Sequence, residues 1–80
     1  MPIVRIPNVL SGQVGGRVCL ELPGATVADV LDAFAAEAPE LARAVAGGGI
    51  RVFVGERAAA PETALSPDDE LFLVPSLAGG

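Results

Sequence analysis

The sequence predicts an α+β domain, in which a mixed sheet of four to five strands carries one main helix packed on one face. Two observations predict it: strand-like alternation at both ends of the chain, and a helical spacing of apolar residues between them. Glycine and proline separate these segments. The chain has 80 residues, of which 51% are hydrophobic, so we expect one folded domain with a single modest core.

A β-hairpin is predicted at the start of the chain. Its first strand covers residues 2–7 and its second covers residues 17–22, because apolar residues alternate with other residues in both. Residues 8–16 are predicted to form a loop, since they contain the turn signals Ser11-Gly12 and Gly15-Gly16. Val4 and Ile6 are expected to share one face of the first strand, and Val18, Leu20 and Leu22 of the second strand are expected to face inward.

The main helix is predicted to begin after Thr26. This residue can accept hydrogen bonds from free backbone N–H groups, and Asp29 resembles the acidic member of a capping box. Pro39 ends this helix or starts a short second one that reaches Ala46, and residues 47–49 are all glycine and break it. One apolar stripe with helical spacing comprises Val27, Val30, Leu31, Phe34 and Ala38.

Two further strands and a short edge strand are predicted in the second half. The clearest strand covers residues 50–54. After a turn, residues 57–60 are predicted to form a short edge strand that pairs with it. The last strand covers residues 71–74. Leu65 is expected to plug the core from an irregular segment, and Pro75 is expected to stop the last strand because proline has no N–H to donate.

A helix between two groups of strands packs most simply on one face of a mixed sheet. The last strand can then lie beside the first, in the centre, which is a β-grasp arrangement. We therefore predict a β-grasp domain at residues 1–74, followed by a flexible C-terminal tail at residues 75–80 that ends in Gly-Gly.

Composition excludes several functional classes. The net charge is −5, and the five arginines are scattered without any lysine, so no nucleic-acid partner is expected. No apolar run is long enough to cross a membrane and no secretory signal precedes the domain, so a cytoplasmic protein without a membrane partner is expected. There is no histidine or tyrosine, and Cys19 is the only cysteine. We therefore predict no metal site, and a protein that is acted upon rather than an enzyme.

The order of elements and the ending of the chain resemble the MoaD/ThiS family of ubiquitin-like sulfur carrier proteins. The ending is Asp68-Asp69-Glu70-Leu71-Phe72-Leu73-Val74-Pro75-Ser76-Leu77-Ala78-Gly79-Gly80, and Val54-Gly55-Glu56 is similar to a turn of that family without its Asn. The Ile6-Pro7 pair, and the length and Gly-Gly of the hairpin loop, are most like the CysO type.

This resemblance implies a reaction at the C-terminal carboxylate of Gly80. A ubiquitin-activating-enzyme-like adenylyltransferase would use ATP to adenylate it, and a sulfur donor would then convert it to a thiocarboxylate. A synthase would accept the sulfur, with cysteine biosynthesis favoured and molybdopterin, thiamin or a sulfur-containing secondary metabolite left open. No cofactor would be bound by the carrier itself. The residues that thread into partner active sites would be Pro75, Ser76, Leu77, Ala78 and Gly79.

A docking surface is predicted beside the tail. If Leu71 and Leu73 face the helix, Phe72 and Val74 face outward next to Phe53, and together they form an exposed apolar patch. The apolar loop residues Val9, Leu10 and Val14 form either a satellite cluster or another partner contact.

Two other functions suit the same sequence. The chain is alternatively a ubiquitin-like protein modifier conjugated through Gly80, or a non-reactive β-grasp interaction module. Cys19 is predicted to be a partly exposed strand thiol without a role, because a reactive cysteine needs a nearby cation and Arg17 could supply one only if its side chain turned back.

Overall fold

A computed structural model of the protein describes residues 1–76. These residues form a five-stranded mixed sheet with helices on one face. The strands are β1 (Ile3–Arg5), β2 (Cys19–Glu21), β3 (Ile50–Val54), β4 (Arg57–Ala58) and β5 (Glu70–Pro75). The helices are α1 (Asn8–Ser11), α2 (Val27–Glu37) and α3 (Pro39–Ala46), and a 3₁₀ turn covers Gly12–Val14.

The last strand lies in the centre of the sheet. The spatial order is β2-β1-β5-β3-β4, with β5 parallel to β1 and antiparallel to β3. In this register Leu71 is paired with both Val4 of β1 and Val54 of β3. The β-grasp arrangement predicted from the order of elements is therefore confirmed.

The core lies between the sheet and helices α2 and α3. Leu71 and Leu73 of β5 are buried on the helical face, and Phe34 of α2 is fully buried against the same face. Alternation along β5 sends the residues between them to the opposite face. The helical stripe predicted from the sequence is confirmed: Val27, Val30, Phe34 and Ala38 are buried, and Leu31 is partly buried against the core.

Helix α2 begins with the predicted cap. Thr26 Oγ1 accepts a hydrogen bond from the Asp29 N–H at 3.3 Å, and the Asp29 carboxylate accepts one from the Ala25 N–H at 3.3 Å. This capping box differs from the usual form in that the carboxylate reaches the N–H one residue before the cap. Helix α3 follows after Ala38, with Pro39 in its first turn and Leu41 buried against the core.

The predicted hairpin forms, but its strands are shorter and its loop is more ordered than expected. Residues 8–16 contain α1 and the 3₁₀ turn, whereas a plain loop was predicted. Gly15 has φ 68° and Gly16 has φ 82°, so two consecutive left-handed residues reverse the chain after that turn. Val18 was predicted to face inward and is 47% exposed; it lies just before β2, where its carbonyl accepts a hydrogen bond from the Ile6 N–H at 2.8 Å.

The prediction that Pro75 stops the last strand is wrong by one residue. Pro75 is paired with Ile50, and the Ser76 N–H donates to the Gly49 carbonyl at 2.9 Å. Alternation in an antiparallel ladder therefore points the proline nitrogen toward the β1 side. Strand β1 has already ended at Arg5, level with Phe72, so the missing N–H of Pro75 removes no ladder bond.

Candidate functional site

The candidate site is the end of β5 and the sheet face around it. Because β5 is hydrogen-bonded on both sides, the chain leaves the sheet from its central strand. Pro75 lies within β5, and the Ser76 N–H is hydrogen-bonded to the carbonyl of Gly49, just before β3. The structure therefore describes these two of the predicted threading residues. The other predicted site residues, Leu77, Ala78, Gly79 and Gly80, lie outside the described residues.

The three predicted docking residues lie together on the sheet face that the helices leave uncovered. Phe72 is 38% exposed and Val74 is 43% exposed, while Phe53 is half-buried. Phe53 is directly opposite Phe72 in the β3–β5 ladder, so their side chains share one face. We call Phe53, Phe72 and Val74 the outer-face patch. The geometry on which the predicted docking surface depends is therefore present.

Two arginines lie next to the outer-face patch. Arg5 is opposite Phe72 across the parallel β1–β5 pair, and its Nε donates to Glu70 Oε1 at 2.6 Å. The hydrogen bond that Arg5 donates to Glu70, and then the negative charge of Glu70, raise the pKa of Arg5 above the ordinary value. Arg51 is opposite Val74, and its guanidinium carbon lies 5.7 Å from the centre of the Phe53 ring.

No role was predicted for Arg51, which shares a face with Phe53. The sequence does contain a signal for this neighbour: Arg51 and Phe53 are two positions apart on β3, so their side chains lie next to each other on one face. The cross-strand register, which brings Val74 opposite Arg51, was not readable from the sequence.

The apolar residues of the hairpin loop divide into two groups. Val14 is buried and Leu10 packs against the core, so these two form the satellite cluster that was one of the two expectations. Val9 is 79% exposed and does not belong to that cluster. Since β1 and β5 are parallel, this loop begins at the same end of the sheet at which β5 ends.

Other parts of the described chain offer less to a ligand. Cys19 is an exposed free thiol, as predicted, and lies opposite Arg5 in the β1–β2 pair. A groove of about 250 Å³ between α2 and α3 is lined mainly by apolar side chains, including Leu31 and Val45, and lies on the helical side of the sheet. Within residues 1–76 there is no group of three side chains suited to a metal, and no helix long and apolar enough to cross a membrane.

Comparison with known proteins places the chain in a family. The model of the ThiS family matches residues 4–80, which is nearly the whole sequence. The chain belongs to the ThiS family. It is thus a small ubiquitin-like carrier protein of the sulfur-carrier type, a protein substrate rather than an enzyme.

Solved structures similar to this ThiS-family protein agree with that assignment. A chain of the Amycolatopsis orientalis BexX/CysO complex is 28% identical, with a TM-score of 0.79 and 100% of both chains covered. SAMP1 from Haloferax volcanii is 33% identical, with a TM-score of 0.73, and the match covers 99% of this chain and 98% of that one. Mycobacterium tuberculosis CysO shares the fold, with a TM-score of 0.82 at 17% identity over 96% of this chain and 100% of that one. No match was found among curated proteins.

Proposed function

We propose that this ThiS-family protein carries sulfur as a thiocarboxylate on Gly80. The observation that carries the proposal is the family match, which continues through the last residue, Gly80. The fold supports it, because β5, the strand that precedes the tail, lies in the centre of the sheet and carries Phe72 and Val74 of the outer-face patch.

The proposed reaction has two steps on a partner enzyme. An oxygen of the Gly80 carboxylate attacks the α-phosphorus of ATP, which forms an acyl-adenylate and releases pyrophosphate. A sulfide-level sulfur donor then attacks the acyl carbon; the new C–S bond replaces the C–O bond to phosphate, and AMP leaves. Gly79 and Gly80 have no Cβ to clash in a narrow site, which suits this threading role.

The partners follow from these steps. A ubiquitin-activating-enzyme-like adenylyltransferase supplies the ATP site, and a synthase accepts the sulfur onto a small molecule. The likeness to CysO at 28% identity over the full length favours an acceptor in cysteine biosynthesis. The BexX/CysO relative is itself a complex, which supports a carrier that works by docking on other proteins. The outer-face patch is the proposed docking surface.

Intact-mass measurement tests the thiocarboxylate directly. The protein is incubated with the adenylyltransferase of the same organism, ATP and a sulfide donor, and the expected product has one oxygen replaced by sulfur. Omitting ATP is one control, and a variant lacking Gly79 and Gly80 is the other; neither should gain sulfur. An unchanged mass in the complete reaction, with an enzyme active on another carrier, would contradict the proposal.

A second function is favoured by the likeness to small archaeal modifier protein 1, whose structure from Haloferax volcanii matches with 28% identity and a TM-score of 0.67. As a protein modifier, the chain would form an isopeptide bond between Gly80 and a lysine of a target. Proteolysed cell extract would then contain lysines that carry remnants of this tail. If such lysines are absent and Gly80 carries sulfur, the results would support the carrier function and not the modifier function. A non-reactive module would keep its biological activity when Gly79 and Gly80 are deleted.

A further inference from the structure

Arg51 is placed where any protein that covers the outer-face patch must also cover its guanidinium. The side chain is exposed and lies over Phe53, with the guanidinium carbon 5.7 Å from the ring centre. Its cross-strand partner, Val74, is one of the exposed members of the patch. A surface that removes water from Phe53 and Val74 therefore removes water from Arg51 as well.

The described part of the chain gives Arg51 no carboxylate partner. Only two ion pairs occur within residues 1–76, Arg5–Glu70 and Arg17–Glu37. Glu70 is the nearest acidic residue on β5, but it lies four residues before Val74, which is about 13 Å along a strand. It is also already bonded to Arg5. The other neighbours of Arg51 on this face, Phe53 and Val74, are uncharged.

A guanidinium that loses water without gaining a partner is strongly unfavourable, more so than the contact of one apolar side chain is favourable. Stacking on Phe53 offsets only part of that loss. A carboxylate on the partner protein would offset the remaining loss, because it can accept two parallel hydrogen bonds from the guanidinium.

We propose that Arg51 is a recognition residue of the outer-face patch, and that the protein docking there presents a carboxylate to its guanidinium beside an apolar area for Phe53, Phe72 and Val74. The inference rests on the proposed function, since the docking protein is the adenylyltransferase. Net charge alone does not determine the chemistry of the contact. A chain of net charge −5 attracts a basic surface at long range, yet the contact at Arg51 needs an acidic group.

Charge reversal with a matched control tests the inference. R51E and R43E change the charge equally, but Arg43 lies on α3, on the helical side of the sheet. Calorimetric titration with the adenylyltransferase of the same organism is expected to show affinity reduced about tenfold or more for R51E, and within about twofold for R43E. R51K should lose less affinity than R51E, because it keeps the charge and loses the two-pronged geometry.

Rescue makes the test specific. Reversing the partner carboxylate to Arg should weaken binding of the wild-type chain and restore binding of R51E. Equal losses for R51E and R43E, with wild-type binding and activation intact, would overturn the inference and leave the proposed function standing. If the wild-type chain binds but gains no sulfur, the proposed function fails instead. Thermal unfolding of both variants confirms that each is folded before its affinity is compared.

Discussion

Arg5 and Glu70 join the two parallel strands at the centre of the sheet, with Nε 2.6 Å from Oε1. Both side chains are more than a third exposed, so solvent weakens the interaction. The pair nevertheless neutralises Arg5 next to Phe72, which leaves Arg51 as the arginine of this face without an ion-pair partner in residues 1–76.

Replacing Glu70 with Gln should therefore lower stability only slightly. The expected shift of the urea midpoint is small at low salt and vanishes at high salt, because an exposed ion pair is screened. Glu62→Gln, an exposed acid outside both ion pairs of residues 1–76, is the control. A large shift that survives high salt would show that the pair acts through packing instead.

The pH dependence of this pair has a definite sign. Since Glu70 raises the pKa of Arg5 in the folded state, its contribution is present below the ordinary guanidinium pKa and is lost as pH rises through the raised value. The difference in stability between the wild type and Arg5→Met should therefore be flat from neutral to moderately alkaline pH. Urea titrations at several pH values in that range check this, and a decline near neutrality would contradict it.

Gly24→Ala should destabilise the domain by about 1–3 kcal/mol through overpacking. A Cβ at Gly24 would lie 2.8 Å from the Val30 backbone nitrogen and 2.9 Å from Asp29 Cβ, inside the first turn of α2. Gly12→Ala is the matched control, because a Cβ there meets nothing within 4 Å. Urea unfolding measures both, and equal stability of the two variants would show that α2 can shift to make room.

Leu41→Ala should cost about 2–5 kcal/mol in the free energy of unfolding. The side chain is 1% exposed and joins α3 to the core, so truncation leaves a cavity. Leu41→Met nearly conserves volume and should cost less than about 1.5 kcal/mol. Denaturant titration separates the two, and a loss for Leu41→Ala near that of Leu41→Met would mean that α3 contributes little to stability.

Val74→Ala should weaken binding to the adenylyltransferase about fivefold or more if the outer-face patch docks there. Val18→Ala is a matched control, since Val18 is 47% exposed and Val74 is 43% exposed, but Val18 lies outside the patch. Both changes should alter stability by no more than about 0.5 kcal/mol, because both side chains are exposed. Equal affinities of the two variants for the enzyme would show that the outer-face patch is not part of the interface.

Much of the fold was predictable because local signals agreed with tertiary packing. Strand β3 has the predicted bounds, and the cap of α2 was recognised from Thr26 and Asp29. The outer-face patch was predicted from alternation along β5 and β3, since a period of two assigns faces even where pairing is unknown.

The rest depended on contacts between distant residues. Helix α1 has only four residues and no side-chain cap, so its sequence carries no helical period to detect. It is held by packing of Leu10 against the core and by burial of Val14 at the end of the 3₁₀ turn that follows it. Arg51 was missed as part of the site because its importance comes from Val74, which is 23 positions away in the chain and paired with it only in the sheet.

If Gly80 reacts in a partner's active site as proposed, the hydrogen bond from the Ser76 N–H to the Gly49 carbonyl limits how deep that site can lie. Four residues follow Ser76, and an extended chain spans at most about 3.3–3.6 Å per residue, so Gly80 stays within about 14 Å of that anchor while the bond holds. The end of the sheet at β5 would then limit how far the tail can enter the enzyme. Gly80 could reach a much deeper nucleotide site only if Ser76 and Pro75 separated from β3. The length of the tail would therefore determine which enzymes can act on Gly80.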